Sequence, residues 1–469
     1  MKDKSRVFLN SIIVFVATIV ENIIFFIINV IIARYLSLEH FGEYTTALGY
    51  ATFFSAITNV GINQTLIRAT NLYPEKEQEN FSAAFIIKCI IGIGVYVVMA
   101  SSLYLTNYSI ELIYLTLIMG VFRVGNEFLS SFYSFYDAKE TFILSSSFRI
   151  VFSISFLLLT IGVVYFHGDV FDFAYVRLWM VIAFFIVLII TTRRMIICRV
   201  PIKSLYKFVL DSIPFGIFTI LSNIFQRINI IILSLIHGSI YSGVFTNGFV
   251  FFTTLFFIPV NLSRVLLPYL YKVSYNNDAS KFQFAFDIYT KYLTMVSFYL
   301  TMGAFLYGRE VIYLIFGSKY HGSIIVLKII ALGIPFIFTI APTIITSLDK
   351  QKVLTKIYMY GFCVNIATNL FFIWLLKAEG ASIAAVITYG YIFIATNLYL
   401  IKNNFVQASG TIKNFVVQIA VIFVCYYVKQ LVLNEMFWLF SLIIVSVLWF
   451  MCNIVFIINK KDVRIIMDV

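Results

Sequence analysis

Apolar stretches of about 20 residues alternate along this chain with short segments that carry charges, Gly, Pro or Asn. An α-helix needs a stretch of about this length to cross roughly 30 Å of hydrocarbon, because it rises 1.5 Å per residue. Hydropathy predicts about fourteen spans, with the approximate limits 10–32, 42–66, 81–105, 109–135, 142–165, 171–192, 208–236, 241–270, 286–307, 325–348, 353–376, 381–401, 412–431 and 436–459. The pattern therefore predicts an all-α polytopic membrane protein with about 14 transmembrane helices.

Composition and charge agree with this pattern. The chain has 469 residues, of which 61% are hydrophobic and 12% charged, whereas a soluble protein has about 25% charged residues. A net charge of +12 can indicate a nucleic-acid partner, but here most basic residues fall in segments on the N-terminal side of the membrane. By the positive-inside rule this asymmetry predicts that both termini are cytoplasmic, and we expect membrane lipids rather than nucleic acid as partners.

A weak internal repeat joins the two halves of the chain. A shift of 201 positions aligns the first predicted span with the seventh without a gap, and identical residues then meet at several positions, among them Asn22 with Asn223 and Gly42 with Gly243. Six predicted helices separate the two copies. An even number means that both copies enter the membrane in the same direction, which is a parallel repeat about an axis along the membrane normal.

The repeat predicts the domain organisation. Residues 1–200 and 201–405 are expected to form two pseudo-symmetric six-helix lobes that face a central space, and residues 406–469 two further helices. A packed structural bundle without such a space is the alternative.

Cations lie inside the predicted spans, although each costs about 2.5–3.5 kcal/mol at a helix centre on the insertion scale. They are Lys88, Arg123, Arg149, Arg177, Arg227 and Arg264. For Lys88 and Arg177, which are further from mid-span, snorkelling to the interface is an alternative. A guanidinium in this environment must line water, meet an acid on another helix, or await an anion.

Fewer acids accompany these cations: Glu21, Glu127 and Asp211. Glu127 follows Arg123 by four residues, so an ion pair within one helix is the simpler interpretation of both. The remaining positive surplus favours a cavity that concentrates anions, and the planar fork of arginine suits phosphate or carboxylate. We therefore predict a cationic substrate-binding cavity formed by Lys88, Arg123, Arg149, Arg227 and Arg264 with Asn22 and Asn223.

Glu21 adds a carboxylate to the first span. Asn22 and Asn29 share one face of that helix beside Glu21, and Asn223 repeats Asn22 in the second half, on the face of Arg227. Glu21 could pair with an arginine when cargo is absent, or bind a coupling proton or sodium ion. The candidates for ion coupling are Glu21, Glu127 and Asp211; hydrogen bonding between helices is the alternative role of the Asn residues.

The sequence contains no motif for several classes of function. The four His residues fall in predicted outside loops without metal-ligand spacing, so no metal site is expected. The five Cys residues show no paired spacing, and no P-loop is present. We predict a protein without cofactor that is not an enzyme.

Several stretches carry a family likeness. They are ARYLSLEHFGEY (33–44), NQTLIRAT (63–70), KFVLDSIPFGIFTILSNIFQRINIIIL (207–233), FFIPVNLSRVLLPYL (256–270), LIFGSKYHGSIIVLKIIALGIPF (314–336), TSLDKQKVLTKI (346–357) and EGASIAAVITYG (379–390). In these stretches the chain resembles the polysaccharide transporters, the O-antigen flippases of the Wzx type, in the multidrug/oligosaccharidyl-lipid/polysaccharide exporter superfamily.

The resemblance implies a function. It implies two six-helix lobes around a cavity that opens alternately to each leaflet of a bacterial cytoplasmic (inner) membrane. The implied cargo is a polyprenyl-diphosphate-linked oligosaccharide, such as an O-antigen unit of lipopolysaccharide on undecaprenyl diphosphate, with the polysaccharide polymerase machinery as a candidate partner. Arg34 and Arg264 match positions that are typically basic in the family, Arg34 at the outer end of its span, and Arg227 lies in the helix-seven motif. A lipid II-type flippase and a multidrug or cation antiporter, which would need an acidic cavity, are the alternatives.

Overall fold

In the computed structural model of the protein, the described backbone covers residues 2–193, 200–225, 227–275, 279–407, 409–432 and 437–456. These residues form α-helices joined by short turns. Contacts between Cα atoms divide the chain into two compact units: unit 1 comprises Met1–Thr246 and Asn369–Ala381, and unit 2 comprises Asn247–Thr368 and Ser382–Val469. The lobe limits expected from the repeat, 1–200, 201–405 and 406–469, stay a prediction.

The first nine helices lie in unit 1, and the tenth is divided almost equally between the two units. They are α1 (Lys2–Tyr35), α2 (Leu38–Ser55), α3 (Ile62–Leu72), α4 (Glu77–Leu103), α5 (Ile110–Ala138), α6 (Phe142–Tyr165), α7 (Val170–Thr192), α8 (Ile202–Phe225), α9 (Ile228–His237) and α10 (Ser239–Leu255). Helix α5 is central because α2, α3, α4, α6 and α7 all contact it, whereas α1 packs mainly on α6.

The remaining helices lie wholly or mainly in unit 2. They are α11 (Phe257–Tyr275), α12 (Ala279–Ile315), α13 (Ser323–Ala331), α14 (Ile334–Ile337), α15 (Ala341–Ser347), α16 (Gln351–Lys402), α17 (Ser409–Val432) and α18 (Trp438–Phe456). Helices α17 and α18 pack on α12 through a core that includes Met302, Tyr307, Cys425 and Trp449.

Polar residues fix where several helices begin. Ser37 accepts a hydrogen bond from the His40 N–H at the start of α2, and Ser109 accepts one from the Leu112 N–H at the start of α5. Asp169 caps α7 with its side chain. Such caps satisfy amide groups that a helix leaves without a partner in its first turn, so they set the ends of apolar helices that hydropathy leaves open.

Nine helices among the described residues are long and apolar enough to cross a membrane, or ten if α13 and the segment Ile334–Ser347, bent by 46° from it, form one span. The chain is an all-α multi-pass membrane protein, as predicted, and the count of fourteen is not confirmed. One reason is α16, which runs 52 residues through two predicted spans and is non-helical only at Lys377 (φ 53°).

Broken spans account for more of the difference. The predicted span 42–66 divides into α2 and α3 at Gly61, which has a φ of 73° that favours glycine. The predicted span 208–236 divides into α8 and α9. Hydropathy depends only on composition, so it does not detect a point at which an apolar helix is interrupted.

Gly42 and Gly243, which the repeat pairs, lie against each other. A Cβ atom built on Gly243 would lie 3.1 Å from Gly42 Cα, and one built on Gly42 would lie 2.3 Å from the Ser239 carbonyl oxygen. The absence of side chains permits this close approach of α2 and α10.

Candidate functional site

Helix α5 carries polar residues on one face through its second half. Arg123, Glu127, Ser130, Ser134 and Asp137 follow one another at intervals of four and three residues, which places them on one side of the helix. Because α5 is the central helix of unit 1, this stripe positions the charged groups contributed by its neighbours.

Lys88 of α4 is fully buried against this stripe. Its Nζ donates to Asn63 Oδ1 and Ser130 Oγ, each at 2.8 Å, and to the Glu127 carbonyl oxygen at 2.7 Å. The Glu127 carboxylate lies 4.0 Å from Nζ and supplies a counter-ion. An ammonium has three N–H donors, so Lys88 could bind cargo only if one of these bonds broke. The snorkelling alternative is wrong for Lys88, because its ammonium has acceptors inside the protein.

Arg149 of α6 meets an acid on another helix. Its Nη2 lies 3.2 Å from Asp137 Oδ2, and its guanidinium carbon lies 5.1 Å from the centre of the Tyr133 ring. Ser145 Oγ donates to the other oxygen of Asp137 at 2.5 Å. The Arg149 Nε is buried without a hydrogen-bond partner among the described residues. Arg149 therefore has one N–H donor, at Nε, that no described residue accepts.

A small cavity lies beside this ion pair. Its volume is about 10 Å³, which is room for about one water molecule. The lining residues are Val14, Ala17, Thr18, Asp137, Ser145, Ser146 and Arg149. A head group the size of a phosphate could enter only if α1 and α6 moved apart.

Glu21 of α1 is partly buried and lies within electrostatic range of Arg149 and Tyr133. Among the described residues its carboxylate forms neither a hydrogen bond nor an ion pair within 4 Å. Asn22 is partly exposed, and Asn29 Nδ2 is buried without a hydrogen-bond partner in the described part of the chain. The interhelical hydrogen bonds that were the alternative role of these Asn residues are not formed there.

Arg123 of α5 and Arg177 of α7 share one neighbour, the Phe122 ring. The Arg177 guanidinium carbon lies 4.5 Å from the centre of the Phe156 ring, 5.2 Å from Phe122 and 5.5 Å from Tyr44. Its Nε donates to the Tyr44 hydroxyl at 2.6 Å. The Arg123 guanidinium carbon lies 6.0 Å from the centre of the same Phe122 ring. Each arginine is partly exposed.

No carboxylate lies within 4 Å of either arginine among the described residues. The ion pair that the sequence suggested between Arg123 and Glu127 is therefore not formed, although the two side chains interact electrostatically. Helical spacing brings Arg123 and Glu127 to one face of α5. The Glu127 carboxylate, however, lies 4.0 Å from the Lys88 ammonium and is its counter-ion. The Arg123 Nε is buried without a hydrogen-bond partner in the same part of the chain.

The other predicted site residues are less informative. Asp211 is exposed on α8. Arg227 is partly buried just before α9 and has a contact with other residues. Helix α8 ends at Phe225 and α9 begins at Ile228; the face that Asn223 and Arg227 were expected to share stays a prediction. The side chains of Asn223 and Arg264 lie outside the described residues.

The sequence did not predict two kinds of partner for these cations, an acid and a group of aromatic rings. Asp137 lies just beyond the predicted span 109–135, yet its spacing from Glu127 and Ser130 on α5 could have drawn attention to it. The aromatic rings around Arg177 gave no signal, because Tyr44, Phe122 and Phe156 come from three helices and resemble ordinary core residues in the sequence.

The architecture is that of a known class of membrane transporters. The structure matches the lipid II flippase MurJ in an inward closed conformation with a TM-score of 0.78 at 16% identity, covering 97% of this chain and 100% of that one. It matches an inward-facing multidrug resistance transporter of the MATE family with a TM-score of 0.63 at 13% identity, covering 82% and 94%. It also matches a MOP superfamily transporter from Pyrococcus furiosus, described as having a binding pocket of reverse polarity, with a TM-score of 0.61 at 13% identity, covering 85% and 95%.

Sequence comparison identifies the family. Residues 7–274 match the model of the family described as polysaccharide biosynthesis protein. No curated protein sequence matches the chain. The chain belongs to the polysaccharide biosynthesis protein family and has the MOP superfamily fold of MurJ and MATE transporters, as its sequence predicted. It is a membrane transporter by family and not an enzyme.

Proposed function

We propose that this protein is a flippase for polyprenyl-diphosphate-linked oligosaccharide. It moves the cargo, an O-antigen or similar repeat unit, from the inner to the outer leaflet of the bacterial cytoplasmic membrane by alternating access through a cationic central cavity. Both termini are cytoplasmic, and the polysaccharide polymerase machinery is a candidate partner.

The observation that supports this proposal most directly is the pair Arg123 and Arg177, which keep their charge inside the membrane region without a carboxylate within 4 Å among the described residues. A buried guanidinium is costly there, so an anionic cargo is a reason for its presence. Family membership supports polysaccharide biosynthesis as the pathway. The fold likeness to a lipid II flippase supports a lipid-linked cargo.

The proposed cargo-binding residues are Arg123, Arg149, Arg227 and Arg264, with Asn22 and Asn223 as further candidates. Lys88 would join them only in a conformation that breaks one of its three hydrogen bonds. Glu21, Glu127 and Asp211 are the proposed sites for a coupling proton or sodium ion. Glu21 is the best placed of the three, because it lies within range of Arg149 and has no hydrogen bond among the described residues.

The test is complementation of a bacterial strain that lacks its O-antigen flippase. Surface polymer should return with the wild-type chain, and oligosaccharide linked to the lipid carrier should no longer accumulate in the inner leaflet. Arg227→Ala and Arg264→Ala should abolish export while the protein remains in the membrane. Normal surface polymer with both variants would refute the assignment of these residues.

The two alternative functions, a lipid II-type flippase and a multidrug antiporter, would give different results in related complementation assays. A lipid II-type flippase would restore growth in a strain depleted of its lipid II flippase, which an oligosaccharide flippase would not do. A multidrug antiporter would raise resistance to cationic drugs. The arginines without acids argue against the antiporter, because a positive cavity repels cations.

A further inference from the structure

The region around Phe122 holds more positive charge than the described acids compensate. Two cations, Arg123 and Arg177, lie beside this ring, and Lys88 shares the acid Glu127 with Arg123. Glu127 lies 4.0 Å from Lys88 and interacts electrostatically with Arg123. Arg123 and Arg177 also repel each other.

The surroundings hold Arg177 in place without neutralising it. Three aromatic rings and the Tyr44 hydroxyl surround its guanidinium, and Tyr44 is itself 1% exposed. Cation–π contacts of this kind attract a guanidinium to the faces of the rings. They leave its full charge, and the Nη groups of Arg177 have no protein acceptor among the described residues.

Arg123 stands beside the same ring with even fewer contacts. Its guanidinium makes no hydrogen bond to a described residue, and its Nε is buried. Both guanidinium carbons lie within 6.0 Å of the centre of the Phe122 ring, so they are no more than about 11 Å apart. N–H···O contacts to an anion are about 2.8 Å long, so one phosphate or diphosphate group could reach both.

We propose that Arg123 and Arg177 form a binding site for the phosphate or diphosphate group of the cargo, and that Phe122, Phe156 and Tyr44 hold Arg177 ready for it. The identity of the cargo rests on the proposed flippase function; the anion site itself rests on the two guanidinium groups. Arginine is suited to this task because its planar fork binds phosphate oxygens in pairs.

The test measures anion binding by the full-length protein in detergent. Thermal unfolding is followed with sodium pyrophosphate and with sodium chloride at equal ionic strength. Pyrophosphate should stabilise the wild type, and its apparent affinity should fall about tenfold or more in Arg123→Gln and in Arg177→Gln, since each loses a charge-assisted hydrogen bond. Arg309→Gln is the matched control, because Arg309 also lies over a tyrosine ring, at 5.5 Å, but is exposed in unit 2; it should bind like the wild type.

A second measurement separates the two sources of the anion. Polyprenyl diphosphate is added to the protein in lipid nanodiscs, and the bound complex is measured by native mass spectrometry. A difference between the wild type and the Arg123→Gln/Arg177→Gln double variant for this lipid alone would mean that the site recognises the lipid-linked form. A difference for pyrophosphate alone would mean that it recognises the free anion. Equal binding by wild type and double variant in both measurements, or no binding by the wild type, would overturn the site.

Two variants guard against simple loss of folding. Arg123→Gln breaks no protein hydrogen bond, so it should fold normally and still lose affinity. Arg177→Lys keeps a positive charge among the rings of Tyr44, Phe122 and Phe156 but lacks the planar fork of arginine. It should retain more affinity for pyrophosphate than Arg177→Gln. If the wild type binds the anion at these arginines but fails to export oligosaccharide, the proposed function is wrong and the site stands.

Discussion

Lys88 and Arg123 are two cations of unit 1 that lie on adjacent helices and share one acid, Glu127. Lys88 uses all three donors on protein acceptors and is 0% exposed. Arg123 uses none on a described residue and is partly exposed. From the sequence, both were predicted to line the cavity, with snorkelling as the alternative for Lys88 and an ion pair with Glu127 as the alternative for Arg123.

The difference separates two uses of a charge in a membrane. A cation with a matched set of acceptors ties helices together, here α3, α4 and α5 through Asn63, Lys88, Ser130 and Glu127. A cation left without an acceptor contributes little to folding, and its donors remain free for a ligand. The following predictions break or sharpen this contrast, from the largest expected effect on stability to the smallest.

Lys88→Met should destabilise the protein most. The change leaves Asn63 Oδ1 without the Lys88 donor, removes the ammonium from Ser130 and the Glu127 carbonyl oxygen, and takes from the Glu127 carboxylate its nearest cation. Breaking a buried charged network costs about 3–5 kcal/mol. Thermal unfolding in detergent should show a large fall in the melting temperature and reduced expression. A melting temperature equal to that of the wild type would mean that Lys88 does not hold these helices together.

Asp137→Asn should have a smaller effect. The carboxylate pairs with Arg149 and accepts from Ser145, but the side chains of Asp137 and Arg149 are 24% and 31% exposed, so we expect a loss of about 1 kcal/mol or less. Glu77→Gln is the control, because it breaks the ion pair with Lys139 at 3.0 Å without a second hydrogen-bond donor such as Ser145. If Glu77→Gln lowered the free energy of unfolding more than Asp137→Asn, the Asp137–Arg149 pair would not be the more stabilising of the two.

The sequence predicted the class of this protein better than its site. Runs of apolar residues and the family motifs sufficed for an all-α membrane transporter, because the bilayer imposes span length and helical structure on any such chain. The breaks at Gly61 and between α8 and α9 were not predicted, since an apolar composition is compatible with a continuous or a broken helix.

The candidate cations were found because a charged residue within an apolar run can be recognised from the sequence alone. Their partners were not: Asp137 pairs with Arg149 from another helix, and the three rings around Arg177 come from α2, α5 and α6. Which charges are satisfied depends on how helices pack, so the distinction between Lys88 and Arg123 needed coordinates.

Substitutions of Glu21 test the proposed coupling of transport to an ion rather than the stability of the protein. Glu21→Gln should slow oligosaccharide export more than Glu21→Asp, because the aspartate keeps a carboxylate near Arg149 that can take up a proton or sodium ion. Export rates are measured in the complemented flippase-deficient strain at equal protein levels. Equal rates for the two variants would remove the coupling role of Glu21.

Arg123→Met should change stability least of all and still abolish export. The substitution removes a charge that makes no hydrogen bond with the described protein, and it relieves repulsion with Arg177, so the free energy of unfolding should stay within about 1 kcal/mol of the wild type. Thermal unfolding and export in the complemented strain are measured on the same preparations, beside Lys88→Met. Because Lys88 and Arg123 share Glu127, the opposite pattern, an unstable Arg123→Met and a stable Lys88→Met, would mean that Glu127 compensates Arg123 rather than Lys88. The unpaired arginine would then be a structural residue, and the contrast between the two cations would no longer support an anion site.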